Sequence, residues 1–349
     1  MLNILHVCTV PLQIFLHIHI HIYAKIHLSK LYLNVYMNNQ ENIYDVAIIG
    51  TGAAGLSASI YSSRYKLKNI VFGKLPGGTI TEAHKVCNYP GIEDITGMEL
   101  GMKMYNHAKK EGGEIVNESI VDIQKDGDIF KLTSDSDKEY RTKTVILATG
   151  TDRNKLVIPG EDEYLGKGVS YCATCDAMFY RDKTVGVIGG SSSATMSAVM
   201  LSDIAKKVYI IYRGTELRGE PTWAHQAEEK ENIEIIYQTL LTELYGNEQL
   251  EGVKLSRPYR GSETLKLDGI FIEIGSEPNI VLPFKMGIKT DDHNYILVDK
   301  EQKTSMEGLW AAGDCTTNSN YFKQVVTAAS EGAIAANSIY TYLKEKSSN

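Results

Sequence analysis

Two stretches of this chain follow one grammar, and that repetition limits the folds open to it. In the first, IYDVAIIG (43–50) is a short apolar run ending in glycine. TGAAGLSASIYSSRY (51–65) opens with small residues, and KNIVFG (68–73) is apolar again. The second copy begins 139 residues later: KTVGVIGG (183–190), SSSATMSAVMLSDI (191–204) and KKVYIIYR (206–213). A short, fully apolar run bounded by glycine is the pattern of a parallel strand buried on both faces. Followed by a small-residue segment and a further strand, it predicts a βαβ unit opening on a tight turn. The spacing is too long for a solenoid repeat, so two units mean two nucleotide-binding domains. The chain of 349 residues is long enough to give each domain a core. The expected fold is α/β with two Rossmann-like domains.

The turns differ. Gly50, Gly52 and Gly55 make GxGxxG. The first glycine permits the tight turn, the second lets a pyrophosphate approach the backbone, and the third lets helix and strand pack closely. The helix N-terminus then faces the phosphate charge. A ribose-holding acid is expected at the end of the next strand, where this chain has Phe72-Gly73-Lys74. In the second copy Gly189 makes the turn and Ala194 takes the packing position, but Ser191 replaces the middle glycine. The next strand ends in Tyr212 and Arg213, with Arg218 nearby. No acid there weighs against NAD, and arginines suit the 2′-phosphate of NADP.

Further apolar strands are expected at TVILATG (144–150) and GLWAAGD (308–314), and a long amphipathic helix over 322–343. GIFIEIGSEPN (269–279) resembles TVILATGTDRN (144–154), and both read as crossings between domains, the C-terminal part returning to the first.

SYCATCDAM (170–178) holds Cys172 and Cys175, the one local pair among five cysteines. Zinc needs four ligands, and no second CxxC or histidine pair accompanies this one, so no metal site is expected. A structural pair and a redox dithiol both remain, and the dithiol fits better. Two cysteines two residues apart at a helix start can close a small ring, and the helix stabilises the attacking thiolate. Asp176 beside them can give or take the proton of each exchange. Scattered cysteines otherwise point to a reducing, cytoplasmic compartment.

A formal charge of −7 argues against a broad nucleic-acid surface, and no run is apolar enough for a membrane span. The first 36 residues stand apart. They hold no Asp or Glu and five of the nine histidines. They fit neither a transit peptide nor a secretory signal, and they read as a non-native or disordered extension with Met37 as the real start. Targeting and metal binding are the weaker readings.

Taken together, GTGAAG (50–55), NYPG (88–91), LATG (147–150), CATCD (172–176), GSEPN (275–279) and AAGD (311–314), followed by FKQ and TAASEG, resemble the low-molecular-weight, bacterial-type thioredoxin reductases over residues 43 to about 345. The resemblance implies FAD, a homodimer, and a discontinuous FAD domain (37–152 and 282–349) with the dithiol/NADPH domain (153–281) inserted. It places FAD against Gly50, Gly52, Gly55, Gly77, Gly78, Asn88, Gly313, Asp314, Lys323, Gln324 and Val325. It places NADPH against Gly189, Ser191, Ala194, Arg213 and Arg218. It implies transfer from NADPH through FAD to a Cys172–Cys175 disulfide and on to thioredoxin. Cys172 would attack the thioredoxin disulfide, Cys175 would face the flavin, and Asp176 would donate the proton. One domain would swivel on the other near 151–158 and 276–283.

Departures fall in the second nucleotide motif. The usual third glycine is Ser191, the usual two glutamates are Met196 and Ser197, and the usual His-Arg-Arg is Tyr212-Arg213-Gly214. Phe322-Lys323-Gln324 replaces Tyr-Arg-Gln. An alternative donor, NADH or ferredoxin, is therefore the second expectation. A substitute for thioredoxin and a flavin sensor without turnover are further ones.

Overall fold

The computed structural model describes residues 43–348. The histidine-rich segment and Met37 lie outside them. Among the described residues no helix is long and apolar enough to cross a membrane.

The first apolar run forms β1 (Ile43–Ile49), followed by α1 (Ala53–Arg64) and β2 (Asn69–Phe72). Helix α2 (Gly97–Glu111) begins with a capping box: Thr96 Oγ1 accepts from the Glu99 N–H, and the Glu99 carboxylate accepts from the Thr96 N–H. Then come β3 (Glu114–Val116), β4 (Ile120–Asp126), β5 (Ile129–Ser134) and the long β6 (Glu139–Leu147). These strands lie in the order β3-β2-β1-β6-β5-β4. The β3-β2-β1-β6 part is parallel, and β4-β5-β6 is an antiparallel meander. Val46, Ala47 and Ile48 of β1 are wholly buried, as expected of a strand covered on both faces.

The chain then crosses through β7 (Thr151–Arg153) into a second unit. Its elements are β8 (Val169–Ser170), α3 (Ala173–Asp176), β9 (Thr184–Ile188), α4 (Ser192–Ser202), β10 (Lys207–Ile211), α5 (Pro221–Glu229) and β11 (Ile233–Ile236). A three-stranded antiparallel sheet follows, β12 (Leu241–Gly246), β13 (Leu250–Tyr259) and β14 (Ser262–Lys266), and then β15 (Gly269–Ile272). The main sheet of this unit runs β11-β10-β9-β15-β8, all parallel.

The return path is β16 (Ser276–Pro278), which pairs antiparallel with β7: Thr151 faces Pro278 and Arg153 faces Ser276. The two similar crossing sequences are thus hydrogen-bonded to each other in one short ribbon. After α6 (Val281–Lys285), β17 (Leu309–Ala311) rejoins the first sheet beside β6, and α7 (Val325–Ser348) closes the chain. Helix α7 lies directly on α1 because Gly332 lets the backbones meet. A Cβ there would stand 2.0 Å from the Ala54 carbonyl oxygen. Ser57 Oγ also donates to the Ala329 carbonyl at 2.6 Å. Trp310 is buried beneath α7, its indole N–H donating to Ser338 Oγ at 2.9 Å. Truncating a residue buried like this costs about 3–5 kcal/mol.

Candidate active site

A cavity of about 440 Å³ opens between the two units, lined by Gly52 of the first glycine turn and by the start of α4, which follows the second. The first-sheet side is a cradle of small residues. Gly50 (φ +130°) makes the turn, and a Cβ on it would strike the Ala148 carbonyl oxygen at 2.0 Å. Gly55 lets α1 sit on β1, since a Cβ there would meet the Gly50 oxygen at 1.9 Å. Gly52 borders the cavity, and a Cβ on it meets nothing closer than Gly78 at 3.9 Å, which leaves room for a phosphate to approach. Gly50, Gly55 and Gly78 therefore shape the backbone from behind, while Gly52, Gly77 and Gly313 line the space.

Asn88, Asp314, Lys323, Gln324 and Val325 line the same cavity. Asn88 Nδ2 donates to Gln324 Oε1 at 2.9 Å. Burial pushes the Asp314 carboxyl above its ordinary range, although the Lys323 ammonium nearby pulls the other way. Burial likewise lowers Lys323 from its ordinary value. That ammonium donates to the Asp314 and Thr316 carbonyls at 2.8 and 2.9 Å and lies 4.1 Å from the Tyr295 ring centre. The sequence reading missed Glu331, a buried acid on α7. Its carboxylate accepts from the Gly313 N–H (2.7 Å), Thr316 Oγ1 (2.9 Å) and Ser319 Oγ (2.6 Å), pinning the turn that presents Asp314. An acid inside the small-residue run TAASEGAIAA was the available signal. This cradle, with the half-buried Asp314 carboxylate able to hold hydroxyls and a helix N-terminus at Val325, fits a flavin dinucleotide.

The second-sheet side is built differently. Gly189 (φ +139°) turns the chain, and Ala194 is wholly buried at the packing position. Ser191 is the exposed N-cap of α4 and makes no side-chain cap bond. Ser192, Ser193, Met196 and Ser197 line the cavity, whereas Gly189, Ser191, Ala194, Arg213 and Arg218 do not. Arg213 and Arg218 are exposed. Tyr212 is only 6% exposed and lies across both Gly190 and Gly214, where a Cβ on either would meet its ring at 2.5 Å. A side chain at 214, where the motif has arginine, would therefore meet the Tyr212 ring.

Three further charged groups meet in the cavity. Glu273, at the end of β15, is 9% exposed, and burial raises its carboxyl above the ordinary range against the pull of Arg153. It accepts from Ser197 Oγ at 3.0 Å and Arg153 Nη1 at 3.2 Å. Arg153 Nη2 donates to Glu82 at 2.6 Å. One acid inside the apolar run GIFIEIG was the sequence signal for Glu273. Nothing in the sequence paired it with residue 153.

Cys172 and Cys175 form a disulfide with Cα atoms 5.3 Å apart. Cys172 caps the single-turn helix α3, its Sγ accepting from the Cys175 N–H at 3.2 Å. Asp176 closes that turn, its N–H reaching the Cys172 carbonyl at 3.2 Å. The backbone neighbours Ala173 and Thr174 line the cavity but the two cysteines do not, and Cys175 is exposed. Cys87 is a free, exposed thiol, and Cys315 is free and buried.

The chain as a whole is similar to known proteins. The family model for pyridine nucleotide-disulphide oxidoreductases matches residues 44–332. The chain belongs to that family. Within it, the chain is 39% identical to the thioredoxin reductase of Bacillus subtilis, over 88% of this chain and 97% of that one. It superposes on the Lactococcus lactis thioredoxin reductase in its FR conformation with a TM-score of 0.82 at 35% identity, covering 86% of this chain and 99% of that one. It superposes on the Streptococcus pyogenes thioredoxin reductase with a TM-score of 0.58 at 34% identity, covering 87% and 99%. This pyridine nucleotide-disulphide oxidoreductase therefore works with a flavin and a pyridine nucleotide and carries its redox-active disulfide at Cys172–Cys175.

Proposed function

We propose that the protein is a thioredoxin reductase that uses FAD and takes its electrons from NADPH. The observation that carries this is the Cys172–Cys175 disulfide on a one-turn helix whose backbone borders the glycine cradle. FAD, when bound, would accept a hydride from the nucleotide and pass the electron pair to this disulfide. Gly52, Gly77, Gly313, Asn88, Asp314 and Gln324 would hold it, with Asp314 accepting from hydroxyls and the α7 N-terminus facing negative charge.

Once the disulfide is reduced, the Cys172 thiolate attacks one sulfur of the thioredoxin disulfide. The other thioredoxin sulfur leaves as a thiol, taking a proton for which Asp176 is the nearest carboxyl in sequence. Cys175 then attacks the mixed disulfide, which releases reduced thioredoxin and restores Cys172–Cys175. Met178 and Phe179, 60% and 73% exposed beside the disulfide, offer an apolar landing surface for a protein substrate. The domain limits are proposed at 37–152, 153–281 and 282–349, the working unit is a homodimer, and the compartment is the cytoplasm.

One observation favours a second reading. Tyr212 occupies the space of a third phosphate-binding arginine, which suits a donor without a 2′-phosphate, such as NADH, or a protein donor such as ferredoxin. Steady-state thioredoxin reduction, followed with a thiol reporter under NADPH and then NADH, separates the two. NADPH should give the larger kcat/KM, and no turnover with NADPH would overturn the proposal.

A further inference from the structure

In the described orientation the disulfide and the cradle are out of register. Cys175 is exposed and does not line the cavity, while the start of α4 does. On the thioredoxin reductase reading, electrons pass from cradle to disulfide when the second-sheet unit turns against the first. What holds the present arrangement is visible at the crossing.

Arg153 sits on the β7–β16 ribbon, paired in register with Ser276. One arm of its guanidinium holds Glu273 of the second unit, which Ser197 also grips. The other arm holds Glu82, the last residue of the 3-10 turn Gly78–Glu82 in the first unit. Arg153 and Glu82 side chains are 34% and 29% exposed, so the pair is partly shielded from water and less screened than a surface pair. Among the described residues no other ion pair joins residues 43–147 or 282–348 to residues 153–281. The same 3-10 turn packs against the dithiol helix α3.

We propose that Arg153 is a positioning residue: its bond to Glu82 latches the two units in the described orientation, and each turnover releases it. This rests on the thioredoxin reductase reading given above. Glu273 keeps the guanidinium aimed across the gap, because a planar fork held by one carboxylate presents its other edge in a fixed direction. Lysine at 153 keeps the charge and loses the fork, so it restores the latch only in part. Glu82→Gln cuts the bond that crosses the units and leaves the Glu273 pair intact.

The test is a distance measurement on the oxidised, flavin-loaded protein. Spin labels go on cysteines placed at the exposed positions Lys110 and Glu248 in a Cys8→Ser/Cys87→Ser background, one in each unit, with Cys172–Cys175 intact. Wild type should show one dominant distance and a minor second one. Arg153→Met and Glu82→Gln should each raise the minor population about 3- to 10-fold, the range for losing one partly shielded ion pair, with Arg153→Lys in between. Stopped-flow should show kcat for thioredoxin changed by a similar factor and KM for thioredoxin unchanged. Unchanged distance populations in both latch variants overturn the latch and leave the enzyme reading intact. A single distance in every variant and redox state, with normal turnover, overturns the swivel on which the latch depends.

Discussion

Gly214→Arg restores the arginine that the second nucleotide motif lacks, yet the structure predicts a poorer protein. The glycine is not demanded by its backbone. The obstacle is Tyr212, whose Cε1, Cζ and hydroxyl oxygen would stand 2.5, 2.7 and 2.9 Å from a Cβ at 214. The ring is almost wholly buried and lies as close to Gly190, and the Arg218 guanidinium sits 5.9 Å from its centre. Being 6% exposed, the ring must shift off its rotamer or push the turn outward, at about 1–3 kcal/mol. The unfolding free energy of Gly214→Arg should fall by that amount, seen as a lower urea midpoint at unchanged slope, and KM for NADPH should not improve. Tyr212→His in the same chain shortens the ring by the end that makes two of the three contacts. The double variant should recover most of the lost stability. Its third guanidinium should then lower KM for NADPH about tenfold, the worth of one charge-assisted phosphate contact. Gly214→Arg at wild-type stability, or a double variant no more stable than the single, would refute the argument that Tyr212 and Gly214 are a coupled pair.

Three other outcomes are expected. Cys172→Ser should abolish thioredoxin reduction while donor-driven bleaching of the flavin persists, as single-turnover spectra will show; loss of both in a folded, flavin-loaded variant would reassign the roles of the cysteines. Glu331→Ala strips three donors of their acceptor, two of them buried, and should cost about 3 kcal/mol in urea unfolding, with flavin lost on gel filtration. Asp314→Asn should weaken flavin retention yet flatten the pH dependence of stability in the flavin-free protein. Burial raises the folded-state value of Asp314, so the folded chain keeps a proton that the unfolded chain releases. Stability is then lost as pH rises from the ordinary aspartate range through the raised one. Urea midpoints from about pH 4 to 7 should fall more steeply for wild type than for Asp314→Asn; a wild type that gains on the variant over that range would contradict the sign.

The parts of the fold carried by local rules were legible in the sequence. Gly50 and Gly189 had to turn, Ala194 had to pack, and apolar runs such as Val46–Ile48 had to be buried, because each requirement is met within a few residues. The Cys172–Cys175 pair was legible for the same reason. The distant pairings were not. Nothing local says that the 144–154 and 269–279 segments would hydrogen-bond to each other as β7 and β16, or that Glu82, Arg153 and Glu273, far apart in the chain, would share one guanidinium. Gly214 read as a lost arginine, and that the Tyr212 ring lies against it was not legible, since the sequence does not show where a ring is laid. The same holds for the exposed Cys175, whose position depends on how two units are set rather than on either motif.

The central claim is that an electron pair from a pyridine nucleotide passes through a flavin to the Cys172–Cys175 disulfide. Anaerobic titration of the purified flavoprotein with NADPH, following the flavin band and counting free thiols, tests it most directly. With two acceptors in series, wild type should consume about two equivalents before the flavin stays bleached and should expose two new thiols, whereas Cys172→Ser/Cys175→Ser should consume about one. Wild type that bleaches fully at about one equivalent with no new thiols, or that does not bleach, would contradict the account.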